Sequence, residues 1–352
     1  MTYTRSMATD AALQTALIYH PACLEHDPGP HVERRARLEA VLAAVYRRWG
    51  TVALQTPEAA PLASIEAVHD AEYVRTIAAI ADRGGGRWDY DTVISRGSYT
   101  AALCAAGAAC RAVDVVLAPE GPGAGAFALG RPPGHHACRD LAMGFCLFNN
   151  VAVAARHAQR EHGVERVLII DWDVHHGNGT QEIFYADRSV GYFSTHQWPF
   201  YPGTGKWTEQ GVGGGEGSTC NVALPAGTGD AGYQAAFAAV LVPFARRFAP
   251  DLILVSAGYD AHYADPLGQM AVSTAGFAAL TRVVADLAGE LCGGRLAFVL
   301  EGGYDLEALG AGVVATLGCL NGGRLSGDTA PAALALPVQA ALDRAIRQHQ
   351  LT

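Results

Sequence analysis

The chain is 352 residues long, half of them apolar, with 17% charged residues and a formal net charge of −9. So apolar a composition excludes an intrinsically disordered chain and allows a large buried core. The acidic balance speaks against a nucleic-acid surface and slightly favours cationic substrates.

The chain opens with a short N-terminus over residues 1–12, and no repeat, linker or composition break divides residues 13–352, which read as one α/β domain. Apolar runs of strand length recur at Ala16–Tyr19, Gly125–Leu129, Val167–Ile170, Val190–Ser194, Leu252–Ser256 and Leu296–Leu300. Between them lie Ala- and Leu-rich segments of helical period, Thr100–Val116, Asn150–His162 and Ala231–Phe248. Strand and helix in alternation predict βαβ units around a parallel sheet, a three-layer αβα arrangement. The apolar stretches Ala101–Cys110 and Ala235–Ala245 are shorter than the roughly 20 residues a bilayer crossing needs, so no membrane helix is expected. The first twenty residues contain Arg5 and Asp10 and lack the apolar block of a secretory signal. Eight scattered cysteines without a C-x-x-C pair read as reduced, buried thiols of a cytoplasmic protein.

Polar clusters follow four of the predicted strands. Arg131-Pro-Pro-Gly-His135-His136 comes after Leu129, Asp171-Trp-Asp173-Val-His175-His176-Gly-Asn178 after Ile170, Gly258-Tyr-Asp260 after Ser256, and Glu301-Gly-Gly-Tyr304 after Leu300. In open α/β sheets the crevice beyond the carboxyl ends of the strands is where ligands bind, so these clusters are expected to converge there.

Asp173 and His175, two apart on an extended segment, point to the same side and can reach one cation, with Asp260 as a third ligand. An O/N/O set of three protein ligands leaves a coordination position open, the mark of a catalytic metal, and either zinc or iron(II) fits it. The plainer alternative has Asp171 and Asp173 capping a helix near Gly179. Adjacent histidines are costly to bury without partners; Asp171 and Asn178 bracket the ligands and could each accept a ring N–H, fixing His135 and His136. A histidine so held beside a metal is placed as a general base. Tyr304, after a Gly pair, could donate to an oxyanion. Phe145, Phe200 and Tyr201 could wall a slot for a slender aliphatic chain. Together the parts describe a metal-assisted hydrolase of an unactivated carbonyl, most simply an amide.

These motifs resemble those of the zinc-dependent histone deacetylases, a family that also includes acetylpolyamine amidohydrolases and bacterial deacetylase-like amidohydrolases. The resemblance runs over nearly the whole chain: His20-Pro21 with His26, His69-Asp70-x-x-Tyr73, R-P-P-G-H-H (131–136), G-F-C-L-F-N-N (144–150), D-W-D-V-H-H-G-N-G-T-Q (171–181), Asp260 with Asp265-Pro-Leu-Gly, and E-G-G-Y (301–304). It implies zinc on Asp173, His175 and Asp260, with His136 as general base toward the attacking water. His135, paired with Asp171, would assist electrostatically or as a proton donor, and Tyr304 would polarise the acyl carbonyl. Gly144, Phe145 and Tyr201 would line an acyl-lysine channel. The resemblance further implies a potassium ion held by main-chain oxygens of Asp171, Asp173, His175 and Thr195 with the side chains of Asp171 and Ser194. A second potassium position is implied at Phe184, Asp187 and Val190, although Asp187 departs from the common residue.

Asn178, where one branch of the family carries Asp, and Trp172 look like the class II branch. Leu267 stands where polyamine-specific relatives in that branch carry an acidic gatekeeper, so acylated lysine or another small acyl amide is expected over acetylpolyamine. His31-Val-Glu-Arg replaces a common His-Pro-Glu-Arg, and either Asp89 or Asp91 is expected to hold substrate backbone at the rim. Arginase-like binuclear manganese chemistry would need a second D-x-D pair, whereas Asp260 is followed by Ala261-His262. A silent acyl-group binder is the rival outside the enzymes. The expected partner is an acylated peptide, protein or small amide, with neither nucleic acid nor membrane; a homo-oligomer stays open.

Overall fold

Ten strands and eleven helices form among the residues described by the computed structural model, 12–119, 121, 123–323 and 334–351. Of the expected short N-terminus only Ala12 falls within these residues. The strands are β1 Ala16–Tyr19, β2 Leu54–Gln55, β3 Gly85–Arg87, β4 Val93–Ser95, β5 Ala126–Leu129, β6 Val167–Asp171, β7 Val190–Gln197, β8 Thr219–Leu224, β9 Leu252–Ala257 and β10 Leu296–Leu300. The helices are α1 Ala36–Trp49, α2 Leu62–Ile65, α3 Ala71–Asp82, α4 Ser98–Leu117, α5 Asn150–His162, α6 Asn178–Phe184, α7 Asp230–Ala236, α8 Val242–Phe248, α9 Thr274–Cys292, α10 Leu306–Leu320 and α11 Leu336–His349. The helical stretch expected over 231–248 is interrupted by one π turn, Phe237–Leu241, between α7 and α8.

Eight strands make one parallel sheet in the order β2-β1-β5-β10-β9-β6-β7-β8, while β3 and β4 pair antiparallel apart from it. Its central strands are apolar on both faces, as a sheet covered by helices on both sides requires. Phe127, Ile170, Val255 and Phe298 pack on one face against α1, α9 and α10, with Trp172 buried beside Phe298. Ala128, Ile169, Leu254 and Val299 pack on the other against α4 and α5. Helix ends follow local chemistry: Asn149 caps α5 by accepting the Ala152 N–H, and left-handed Gly163 closes it.

One expectation needs correction. Helix α4 extends well beyond Ala101–Cys110 and over 20 residues has the length and apolarity of a membrane span. It is nevertheless a core helix, 72% buried, packed between α5 and the sheet.

The topology positions the site. From β5 the chain crosses to β6, skipping two places that β9 and β10 fill later. The four strands β5, β10, β9 and β6 are therefore neighbours, and their carboxyl ends carry the four polar clusters to one switch-point crevice.

Candidate active site

Asp173, His175 and Asp260 meet with one ligand atom each, all within 4.8 Å of one another. His175 Nδ1 lies 3.1 Å from Asp173 Oδ1 and 3.3 Å from Asp260 Oδ2. The remaining carboxylate oxygens are held by backbone: Asp260 Oδ1 accepts the Val174 N–H at 2.8 Å, and Asp173 Oδ2 accepts the Gly302 N–H at 2.9 Å. Asp260 Oδ2 is buried with no hydrogen-bond donor. A Cβ on Gly258 would strike the Asp173 carboxylate, and one on Gly302 would strike Asp260. Burial and then the charge on Asp173 push Asp260 up to about 7. A buried oxygen without a donor, repelling carboxylates and a space kept by two glycines fit a bound cation. Asp171 and Asp173 do not serve as caps of α6, since no side chain caps that helix.

His135 and His136 lie beside this trio with ring centroids 4.0 Å apart, and their partners differ in kind. His135 Nδ1 donates to the Asp171 carboxylate at 3.0 Å, and that same oxygen accepts the Tyr192 hydroxyl at 3.1 Å. His136 Nδ1 donates to the neutral amide oxygen of Asn178 at 2.8 Å. Burial opposes charge on His135, but Asp171 and Asp173 outweigh it and lift it to about 10. Burial, then the adjacent His135 and His175, hold His136 well below its ordinary range. The two neighbouring imidazoles are thus pushed in opposite directions, one favouring the charged and the other the neutral form.

Tyr304 is carried by the E-G-G-Y turn after β10. Burial raises its phenol well above the ordinary value, which keeps it a donor. Its main-chain N–H and that of Asp305 both donate to Asp265 Oδ2, at 2.6 and 3.1 Å, and the Leu267 N–H donates to Asp265 Oδ1 at 3.0 Å. Asp265 thereby ties the Leu267 loop to the tyrosine.

Of the expected channel residues, Gly144 has φ +55° and so little room that a Cβ would strike the His136 ring. Phe145, also at positive φ, packs edge-on to Tyr304 at 5.7 Å. Phe200 stacks on His175 at 5.4 Å, and Tyr201 meets His136 edge-on at 5.2 Å. At the rim, Asp89 Oδ1 is taken by the N–H groups of Asp91 and Thr92, whereas Asp91 contacts the Thr92 hydroxyl, which itself accepts the Phe145 N–H. Asp171 and Ser194 are register partners at the ends of β6 and β7. The Ser194 hydroxyl pairs with His196, and the buried Thr195 hydroxyl lacks a partner. The Asp187 side chain is held by Arg156 and Ser189 in the turn between Phe184 and Val190.

The sequence reading missed a buried support. Glu33 accepts both Arg131 and Arg37, and Arg37 donates on to the Gly303 and Glu301 carbonyls, with its guanidinium 4.9 Å over the Tyr304 ring. Glu301 accepts the Gly134 and His135 N–H groups and the Ser256 hydroxyl. His69 accepts the Asn149 N–H and bonds the Cys138 carbonyl. Motif runs included Glu33, His69 and Glu301, but nothing local in sequence shows what they hold. His262, which stands where a second D-x-D pair would need an aspartate, faces the Thr274 hydroxyl and the Ala264 N–H.

Fold and site define a parallel α/β hydrolase with a three-ligand pocket and a paired-histidine centre at its switch point. Residues 31–320 match the family described as Histone deacetylase domain, and the chain belongs to that family. It is 43% identical over 328 residues to Histone deacetylase 14, chloroplastic, of Arabidopsis thaliana, covering 87% of this chain and 77% of that one. It is 41% identical over 346 residues to Polyamine deacetylase HDAC10 of Homo sapiens, covering 92% of this chain but 50% of that one. The solved HDA15 HD domain superposes with a TM-score of 0.88 at 36% identity, over 97% of this chain and 95% of that one. The chain is thus an enzyme of the deacetylase type, a hydrolase of amide bonds.

Proposed function

We propose that the protein is a zinc-dependent amidohydrolase that removes acetyl or other acyl groups from the ε-amine of lysine, or from a similar small amide. The observation that carries this reading is the split support of the two histidines, carboxylate for His135 and amide for His136, beside the Asp173, His175 and Asp260 pocket. Zn2+ held by those three residues would polarise the acyl carbonyl and activate water, with Fe2+ a chemically equivalent occupant. His136, neutral against Asn178, accepts the proton of the attacking water as the C–O bond forms. Tyr304 donates to the oxygen on which negative charge develops. His135, charged against Asp171, stabilises that charge and supplies the proton to the departing amine as the C–N bond breaks. A structural potassium ion would sit among the main-chain oxygens of Asp171, Asp173, His175 and Thr195 with the Asp171 and Ser194 side chains, which are register partners at the ends of β6 and β7.

Substrate class turns on the rim. Leu267 offers no charge, and the neighbouring Asp265 carboxylate is committed to the Tyr304, Asp305 and Leu267 N–H groups. A polyamine ammonium would find no free acid at that gate, whereas Asp91, which accepts the Thr92 hydroxyl at 3.3 Å while Asp89 holds two turn N–H groups, could take a peptide N–H. Acetylpolyamine hydrolysis is the second reading, favoured by the 41% identity to the human polyamine deacetylase. Eight free, buried cysteines suit a reducing compartment such as the cytoplasm. The test is kcat/KM on an acetyl-lysine peptide, a trifluoroacetyl-lysine peptide, and acetylated putrescine and spermidine, each with and without a chelator. Peptide preference with loss of turnover in chelator is expected; polyamine preference would instead establish the second reading.

A further inference from the structure

We propose that Asp114, His157 and His162 form a second divalent-metal site, for Zn2+ or a similar borderline transition-metal ion, that clamps the C-terminal end of α4 to that of α5. The cluster lies toward the C-terminal ends of α4 and α5, which lead into the amino ends of β5 and β6, whereas the candidate site is at the strands' carboxyl ends. His157 Nε2 is 2.6 Å and His162 Nε2 2.8 Å from one oxygen, Asp114 Oδ1, and one ligand atom of each of the three residues lies within 4.8 Å of the others. A carboxylate serving only as acceptor for two imidazoles has two oxygens to offer them; here both rings converge on one point. Zn–N and Zn–O bonds of about 2.0–2.2 Å place tetrahedral ligands roughly 3.3 Å apart, so the trio need open by only about half an ångström to take an ion.

Position favours a cation as well. Asp114 is in the last turn of α4 and His162 ends α5, so two negative helix termini meet at the cluster. Arg160, the other basic residue in that last turn, is turned away onto the Ala63 carbonyl. The side chains are 34%, 16% and 29% exposed for Asp114, His157 and His162, which leaves solvent to complete the coordination. They face a groove of about 1110 Å³ that Glu161 and Glu58 also line, together with Arg111, whose guanidinium is turned onto Gln55. Two imidazoles and one carboxylate are a donor set for Zn2+, Co2+ or Ni2+, not for Ca2+ or Mg2+.

The full chain, stripped with chelator and dialysed against buffered Zn2+, should bind two equivalents. Asp114→Asn and His162→Gln should each bind one and keep their turnover on an acetyl-lysine peptide. Asp260→Asn should also bind one, at the distal cluster, and lose turnover. In the unmutated chain Zn2+ should slow diethyl pyrocarbonate modification of His157 and His162 about tenfold, read by peptide mass, a result that does not depend on any variant folding. A single equivalent in the unmutated chain that His162→Gln still binds, two equivalents in His162→Gln, or equal modification rates with and without Zn2+ would overturn the site; one equivalent that His162→Gln loses would instead count against the catalytic metal.

Discussion

His135 and His136 are adjacent in sequence and nearly in contact, yet the structure gives one a carboxylate and the other an amide. In the proposed mechanism that contrast would divide acid and base work between the pair, with Tyr304 as the neutral donor to the acyl oxygen. Tyr304→Phe removes one donor and no metal ligand, so turnover should fall about 100-fold while Zn2+ stoichiometry is kept. Steady-state kinetics with metal analysis checks this, and unchanged turnover would remove the tyrosine from the chemistry. Leu267 is the second residue with a defined consequence. Leu267→Glu places a free carboxylate beside Asp265, whose own oxygens are occupied. The ratio of kcat/KM for acetylspermidine over an acetyl-lysine peptide should therefore rise, and a constant ratio would place the polyamine gate elsewhere.

Elements whose chemistry is local were legible in sequence; those built from distant contacts were not. The six predicted strands match β1, β5, β6, β7, β9 and β10 within a few residues because each contains a run of mainly apolar residues that is buried on both faces along nearly its whole length. Edge strands β2, of two residues, and β8, with Asn221 inside it, carry no such run. The four polar clusters of the candidate site were readable because each directly follows a strand. Arg37, bound to a carbonyl 266 positions away, and the Asp114, His157 and His162 cluster, split between α4 and α5, have no local signature. His69 is a third case: motif spacing flags it, but only the fold shows it joining Cys138 to Asn149. Burial holds His69 down to about 4. A histidine depressed in the folded state contributes stability that is complete above its unfolded value near 6.5 and is lost as pH falls toward 4. His69→Gln keeps a donor and an acceptor but does not titrate. The stability advantage of the unmutated chain over this variant should shrink by about 2 kcal/mol between pH 7 and pH 5 in urea unfolding. A difference independent of pH would mean that His69 titrates alike in the folded and unfolded states, so that burial does not depress it.

Across the whole molecule, the switch point that gathers the site also gathers charge. Asp171, Asp173, Asp260 and Glu301 are all buried within one crevice, and burial with like-charge repulsion lifts both Asp260 and Glu301 to about 7. Without a cation this is the part of the fold where electrostatics oppose the apolar packing of the sheet. A divalent ion joining Asp173 and His175 after β6 to Asp260 after β9 would reverse the sign of that contribution and link two central strands. Binding confined to the folded state stabilises by about 2.7 kcal/mol at a hundredfold excess over Kd, so Zn2+ added to chelated protein should raise Tm by about 4 °C. Asp260→Asn should behave oppositely in the two states. Removing one of the repelling charges should leave the metal-free Tm equal or higher, while the gain on adding Zn2+ should largely disappear. Both proteins are best compared in a His162→Gln background, so that the distal cluster adds nothing to the shift. An equal Zn2+ shift with and without the Asp260 carboxylate would show that the ion is not held between β6 and β9, and that the acidic crevice is stabilised in another way.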